Sequence, residues 1–271
     1  MAEPVLHGGA WWHRQPDGSL LRWDQEAGQW VPAPAGEGPG AEHHGGGDWK
    51  PIDGRAKTVR MLLFALAGIS AAALISDGYE WSLFDQAIGG DPYTESQATL
   101  SDNVQLVFGI LLSVTNLAVI VTFLMWLFRA YKNVLALGAG QLRYRPGWSI
   151  GAWFIPFFNF VGPKQIVNDT WRASDPELPP DAGGAWRGAA IPAALFGWWW
   201  AAWILSALLG NASFRVNLDA ESLKELREAS AVDFASDLAT IPACLLCAAV
   251  VAAITRRQNE RAARLGVRAA G

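Results

Sequence analysis

Arg129, Asn133, Trp153, Asn159, Asp169, Trp171 and Arg172 are the residues of this chain whose types and order fit recognition chemistry. Trp126, Arg129, Asn133 and Leu137 fall within a helical sector of about 80 degrees, because each residue of a helix advances about 100 degrees. One face would therefore present an aromatic ring, a cation and an amide. Residues 146–176 follow with an aromatic run interrupted by Pro156, Asn159 and Pro163, and then by Asp169, Trp171 and Arg172. If these groups converge, they make a polar pocket for a lipid headgroup, a phosphate or a peptide, since a guanidinium offers phosphate a planar fork and amides can orient it. The same groups would serve equally as hydrogen-bonding partners for an irregular segment at membrane depth, whose backbone has no water to turn to. Both readings stand on the sequence.

A second set lies near the start of the chain. Residues 10–32 hold Trp11, Trp12, Trp23 and Trp30 around two turn signals, Pro16-Asp17-Gly18-Ser19 and Glu26-Ala27-Gly28. The pattern predicts three very short strands, with Trp11 or Trp12, Trp23 and Trp30 sharing a small aromatic cluster. This stretch resembles the short tryptophan-bracketed modules at the cytoplasmic ends of actinobacterial membrane proteins. It is also faintly similar to a WW domain through Trp12, the Gly18 turn, Trp30 and Pro32, although its outer tryptophans are closer together. Trp12, Trp23 and Trp30 are thus candidate contacts for a cytosolic protein or peptide. The alternative is a marginal hairpin without a partner, since so few residues bury little surface.

Other reactive side chains exclude several chemistries. All four histidines, His7, His13, His43 and His44, precede residue 57, which leaves none for a relay within apolar segments. His43 and His44 stand beside three glycines in a Gly/Pro-rich stretch and read as solvated linker rather than a metal site. The only cysteines, Cys244 and Cys247, lie at i and i+3 in an apolar run and read as packing thiols. No GxSxG, HExxH or paired intramembrane aspartate occurs, so no enzyme, cofactor or metal is expected. Nucleic acid is not an expected partner either.

The elements that must position these residues are four long apolar segments, at about 59–76, 104–128, 188–209 and 234–255, each long enough to cross a bilayer as a helix. Composition agrees, with 51% hydrophobic and 17% charged residues. Lys50, Arg55, Lys57 and Arg60 lie just before or at the start of the first segment, whereas residues 77–103 contain no Lys or Arg but carry Asp77, Glu80, Asp85, Asp91, Glu95 and Asp102. Basic residues also fill the central connection and the tail, so the charge rule places both termini in the cytoplasm. The net charge of -4 conceals this segregation. Helical character continues past the second segment to Gly138, a helix-ending glycine. A crossing by residues 148–167 would put the Arg-rich tail outside, so that stretch is expected to be re-entrant or interfacial on the cytoplasmic side. The resulting architecture is an all-α transmembrane four-helix bundle with a small β-hairpin-like amino-terminal module. Its expected divisions are 1–32 (module), 33–56 (disordered linker), 57–257 (membrane domain) and 258–271 (basic tail).

The pattern Trp126, Arg129, Ala130, Asn133, Ala136, Leu137, Gly138, then Pro146, Trp148, Gly151, Trp153, Phe154, Pro156, Asn159, Pro163, then Trp171, Arg172, Ala173, Ser174 resembles the bacterial membrane proteins grouped as domain of unknown function 4328. The resemblance covers approximately 57–257. It implies a multi-pass protein, commonly actinobacterial, whose shared motif lies on the second helix and the aromatic segment after it. It implies no activity.

Within the segments, Phe196, Trp199 or Trp200, and Trp203 would form an aromatic stripe, either packed against Ala-rich neighbours or lining an acyl-chain groove. Ser113, Thr115 and Asn116 are expected to hydrogen-bond between helices, Pro192 and Pro242 to kink their helices, and 219–229 to form a short amphipathic helix. Coupled transport is disfavoured by the lack of ionisable groups deep in the segments. Two functions remain: a non-enzymatic scaffold or sensor in the cell membrane acting through the tryptophan module, or a lipid or small-amphiphile binder or carrier using the Arg129/Asn159 motif. Membrane lipids are expected partners in either case, and no sequence feature sets the oligomeric state.

Overall fold

A computed structural model describes residues 4–7, 10–15, 19–33, 49–91, 93–180 and 182–267. His43 and His44, most of the linker and the centre of the Pro16 to Ser19 turn lie outside the described residues.

Four strands, rather than the three expected, make the amino-terminal sheet: β1 (Val5–His7), β2 (Ala10–Arg14), β3 (Leu20–Asp24) and β4 (Gln29–Pro32). They are antiparallel in the order β1-β2-β3-β4. The extra strand escapes sequence reading because three residues give no alternation to detect. Gly28 closes the last hairpin at φ 63°, and the Asp24 carboxylate accepts from the Glu26 and Ala27 N–H groups there. Both features explain why that turn sits at Glu26-Ala27-Gly28.

Four helices are long and apolar enough to cross a membrane: α1 (Asp53–Ile88), α2 (Glu95–Ala136), α5 (Ala193–Asp219) and α6 (Leu223–Arg264). Each contains most of its expected apolar segment and extends well beyond it. α1 packs on α2 and α6, and α6 also packs on α5, so the helices are arranged α2-α1-α6-α5. α1 and α6 bury small residues, among them Ala67, Ser70, Ala73, Ala243 and Ala248, which let neighbouring backbones approach closely, and Ser70 donates to Asp237 across the α1–α6 seam at 3.0 Å. Thr94 with Gln97, and Ser222 with Glu225, form capping boxes that start α2 and α6.

Two expectations about the third and fourth helices change. Pro192 does not kink a helix but sits at the N-cap of α5, which begins five residues later than residue 188. The separate amphipathic helix at 219–229 is absent, because α5 runs to Asp219 and the Ser222 cap makes residues from Leu223 the first turns of α6. Pro242 does lie inside α6.

Between α2 and α5 the chain does not cross the bundle. It forms α3 (Trp148–Gly151), a 3-10 turn at Phe158–Phe160, and α4 (Gly162–Ala173). Trp153 leaves this stretch to lie edge-on between Phe123 of α2, at 5.5 Å, and Trp203 of α5, at 5.2 Å. The aromatic segment therefore fills the gap between two helices that α1 and α6 hold apart.

Candidate functional site

The basic end of the bundle is built around α2, α4 and the last turns of α6. α2 stops where Gly138 takes φ 84°, and a Cβ there would stand 1.7 Å from the Pro180 carbonyl oxygen. The expected helix-ending glycine is thus required twice, by its conformation and by the backbone that passes over it. Beyond it, Ala139 and Gly183 pair as a parallel bridge, which brings residues 178–180 and 182–183 back against the end of α2.

Asn133 is wholly buried and clamps the chain that enters α1. Its Nδ2 donates to the Lys50 carbonyl at 2.8 Å, its Oδ1 accepts from the Lys50 N–H at 3.3 Å, and its Nδ2 also reaches Gln258 Oε1 at 3.3 Å. Gln258 in turn donates to the Ala130 carbonyl at 2.7 Å and to Ser174 Oγ at 3.1 Å. Arg261, three residues on, is wholly buried and donates to the carbonyls of Leu137, Asp175, Leu178 and Pro179 at 2.6 to 3.1 Å. A planar cation with five N–H donors is well suited to gather that many carbonyls. Burial lowers the tendency of Arg261 to hold its proton, opposed by the Asp175 charge.

Gln258 and Arg261 were expected in a basic tail. They are instead core residues, because α6 continues helically to Arg264 and Val251, Ile254, Gln258, Arg261 and Ala262 recur at helical spacing on its buried face. That spacing was the available signal, masked by the basic residues interleaved with it.

The remaining motif residues are spread among separate contacts. Arg129 is buried on the same α2 stripe as Trp126, whose indole donates to Thr255 Oγ1 at 3.2 Å. Asp169, almost wholly buried on α4, pairs with Arg143 at 3.0 Å. Burial pushes its carboxyl above the usual range, and the Arg143 hydrogen bond and charge oppose that, while Asp169 holds the Arg143 proton more firmly. Burial dominates at the carboxyl, whose side chain is 1% exposed against 45% for Arg143. Arg172 donates to the Ala189 carbonyl at 3.0 Å, and Trp171 to that of Ala190 at 3.0 Å. The Arg257 guanidinium lies 4.2 Å over the Trp171 ring and meets Asp175 at 2.8 Å. Trp153 Nε1 and Asn159 Oδ1 are buried without a hydrogen-bond partner.

The aromatic stripe of α5 is filled from within. Phe196, Trp199 and Trp200 are buried, Trp200 stacks on Trp203 at 4.7 Å, and Trp153 covers both. This is the packed arrangement rather than the open groove. Cys244 and Cys247 are free thiols, buried and half-buried. No group of three or more metal-ligating side chains occurs among the described residues.

In the sheet, strand register decides which tryptophans share a face. Trp23 pairs with Trp30, and Trp12 with Arg22 and Val5, so Trp12 points away from Trp23 and Trp30 and is buried. Continuing the β2–β3 register sets Trp11 beside Trp23. Trp11, Trp23, Trp30 and Pro4 then line an open groove of about 410 Å³. Trp23 and Trp30 meet edge to face at 5.3 Å, and His13 lies 5.7 Å from Trp30. Of the three candidate contact residues, the structure brings Trp23 and Trp30 together and replaces Trp12 by Trp11. Two adjacent tryptophans give no sequence clue to which one faces the groove.

The family model described as "Domain of unknown function (DUF4328)" matches residues 91–256, from just before α2 into the last turns of α6. The chain belongs to this family. The match takes in the α2 stripe, the aromatic segment, α4 and α5, and leaves out the sheet, α1, and the last turn carrying Gln258 and Arg261. No curated protein and no solved structure matches the chain. The shared DUF4328 region therefore supplies Asn133, and the flanking segments supply Lys50 and Gln258, to one hydrogen-bonded network, while Arg261 gathers a separate set of carbonyls beside it.

Proposed function

We propose that this is a non-enzymatic multi-pass protein of the cell membrane, acting as a scaffold or sensor, whose tryptophan groove meets a cytosolic protein or peptide. The carrying observation is the clamp on Lys50: the chain that links the sheet to α1 ends on a backbone unit whose N–H and C=O are both held by buried Asn133. Tension or ordering in the linker would act on that unit, and through Gln258 on the junction of α2, α4 and α6. The Lys and Arg excess at this end of the bundle favours a cytoplasmic location, with the acidic 77–103 side outside. The groove offers aromatic faces, which suits recognition of an extended peptide.

The test uses the full chain in nanodiscs, mixed with the soluble fraction of its source cells. Wild type should retain a discrete soluble protein that Trp23→Ala/Trp30→Ala does not, while Asn133→Ala should keep the partner and lose any change in exchange protection at Lys50. Identical retention by wild type and the double variant sinks the reading.

A second reading, lipid or small-amphiphile binding at the Arg129/Asn159 motif, is favoured by one observation: Trp153 Nε1 and Asn159 Oδ1 are a buried donor and acceptor without partners. Native mass spectrometry from nanodiscs separates it, because a bound lipid mass lost in Arg129→Ala and Asn159→Ala would put it ahead.

A further inference from the structure

α2 is the membrane-length helix whose apolar stretch has the least cover from its own chain. Only 6% of that window is buried, against 33% for α1, 17% for α5 and 50% for α6. Leu106, Val107, Ile110, Val114, Leu117 and Val121 lie open on it. Lipid alone satisfies such apolar side chains, but it does not satisfy Asn116. This residue stands at the centre of 104–128, on an exposed position. The expected hydrogen bonds between helices from Ser113, Thr115 and Asn116 are not made, since among the described residues none of the three bonds to anything in this chain. An amide carries two donors and an acceptor, and in hydrocarbon each unmet group costs free energy. Its partner must come from outside the chain, at the same depth.

A second copy meets that requirement directly. Two copies inserted in the same orientation and related by a two-fold axis along the membrane normal bring each residue of the contact helix opposite its twin. Asn116 then faces Asn116, and because the amide is both donor and acceptor the pair is self-complementary. The same flank of α2 allows the approach. Gly109, Ser113 and Asn116 fall within a sector of about 60 degrees, and the space where a Gly109 Cβ would stand is open. We propose that this protein forms a parallel homodimer through α2, with the Asn116 amides hydrogen-bonded to each other across the two-fold axis.

Energy transfer between donor- and acceptor-labelled full-length copies in liposomes, measured as the protein-to-lipid ratio is varied, tests this. Wild type should dimerise, Asn116→Leu should shift the equilibrium toward monomer by about 3- to 30-fold, and Asn116→Gln should keep most of the association. In a Cys244→Ala/Cys247→Ala background, Ser113→Cys should cross-link to a dimer under mild oxidation. Val114→Cys, about 140 degrees from Gly109 around the helix, should not. A monomeric wild type, an association indifferent to Asn116→Leu, or a Ser113→Cys product whose mass is not that of two copies would each overturn the proposal. Leu at this position is a good span residue, so loss of insertion is not expected to confuse the result.

Discussion

Replacing Asn133 by Ala removes three hydrogen bonds at once and leaves the Lys50 N–H, the Lys50 carbonyl and Gln258 Oε1 to find other partners. A buried polar group stranded in this way costs about 1 to 3 kcal/mol. Lys50 lies at the edge of the core and can recover water, whereas Gln258 is wholly buried and keeps its two donor contacts. The local loss is therefore about 2 to 3 kcal/mol, less than three full penalties. Since 1.4 kcal/mol is a factor of ten, opening of the 49–56 segment should become about 30- to 150-fold more frequent. Hydrogen exchange of the full chain in nanodiscs, read on peptides covering residues 49–56, measures this. Peptides covering the middle of the α1–α6 seam, around Ser70 and Asp237, should not change, because their contacts do not pass through the amide. Exchange within twofold of wild type would refute the claim that Asn133 holds the linker to the bundle. Equal acceleration throughout α1 would show that the residue supports the whole fold rather than one joint.

Gly138→Ala should destabilise the basic end strongly, by more than the strained backbone alone would cost. A positive φ costs a β-carbon about 1 to 2 kcal/mol, and displacing Pro180 disturbs carbonyls that Arg261 holds. Limited proteolysis within 174–192 should report it, with Gly147→Ala, which meets nothing within 4 Å, as the unchanged control. Arg143→Ala should cost about 1 to 3 kcal/mol at neutral pH by removing the hydrogen bond and the nearest charge that hold the buried Asp169 carboxylate. The Asp169 carboxyl is already raised in the fold, so stability tied to its neutral form is present at low pH and lost as pH rises through the folded value. The Arg143→Ala penalty should accordingly shrink on acidification, and denaturation followed across pH would expose a constant penalty. Phe157 sits at φ 62° and ψ -40° in a tight turn closed by the Phe158 N–H on the Pro156 carbonyl at 2.7 Å, and its ring is 86% exposed. Phe157→Gly should raise thermal stability in detergent by about 1 to 2 kcal/mol, and a decrease would show that the exposed ring makes a contact the strain serves.

Apolar length, charge segregation and the aromatic motif were enough to find the four long helices, the helix-ending Gly138 and the non-crossing segment at 148–167. These properties depend on composition over a window, which survives whatever the neighbours do. The starts of α5 and α6 were not legible, because capping by Pro192 and Ser222 depends on one residue in context. Partner choice was decided by tertiary structure. Asp169 takes Arg143 rather than the nearer-in-sequence Arg172, and Asn133 takes the backbone of Lys50, which lies 83 positions away. Trp11, not Trp12, enters the groove, because strand register has period two and a one-residue shift exchanges the faces. Residue type established that this chain carries amides, guanidinia and tryptophans in and beside its apolar segments. Packing alone determined which of them satisfy the fold and which, like Asn116, are left for a partner, since a hydrogen bond depends on a distance that no spacing along the chain specifies.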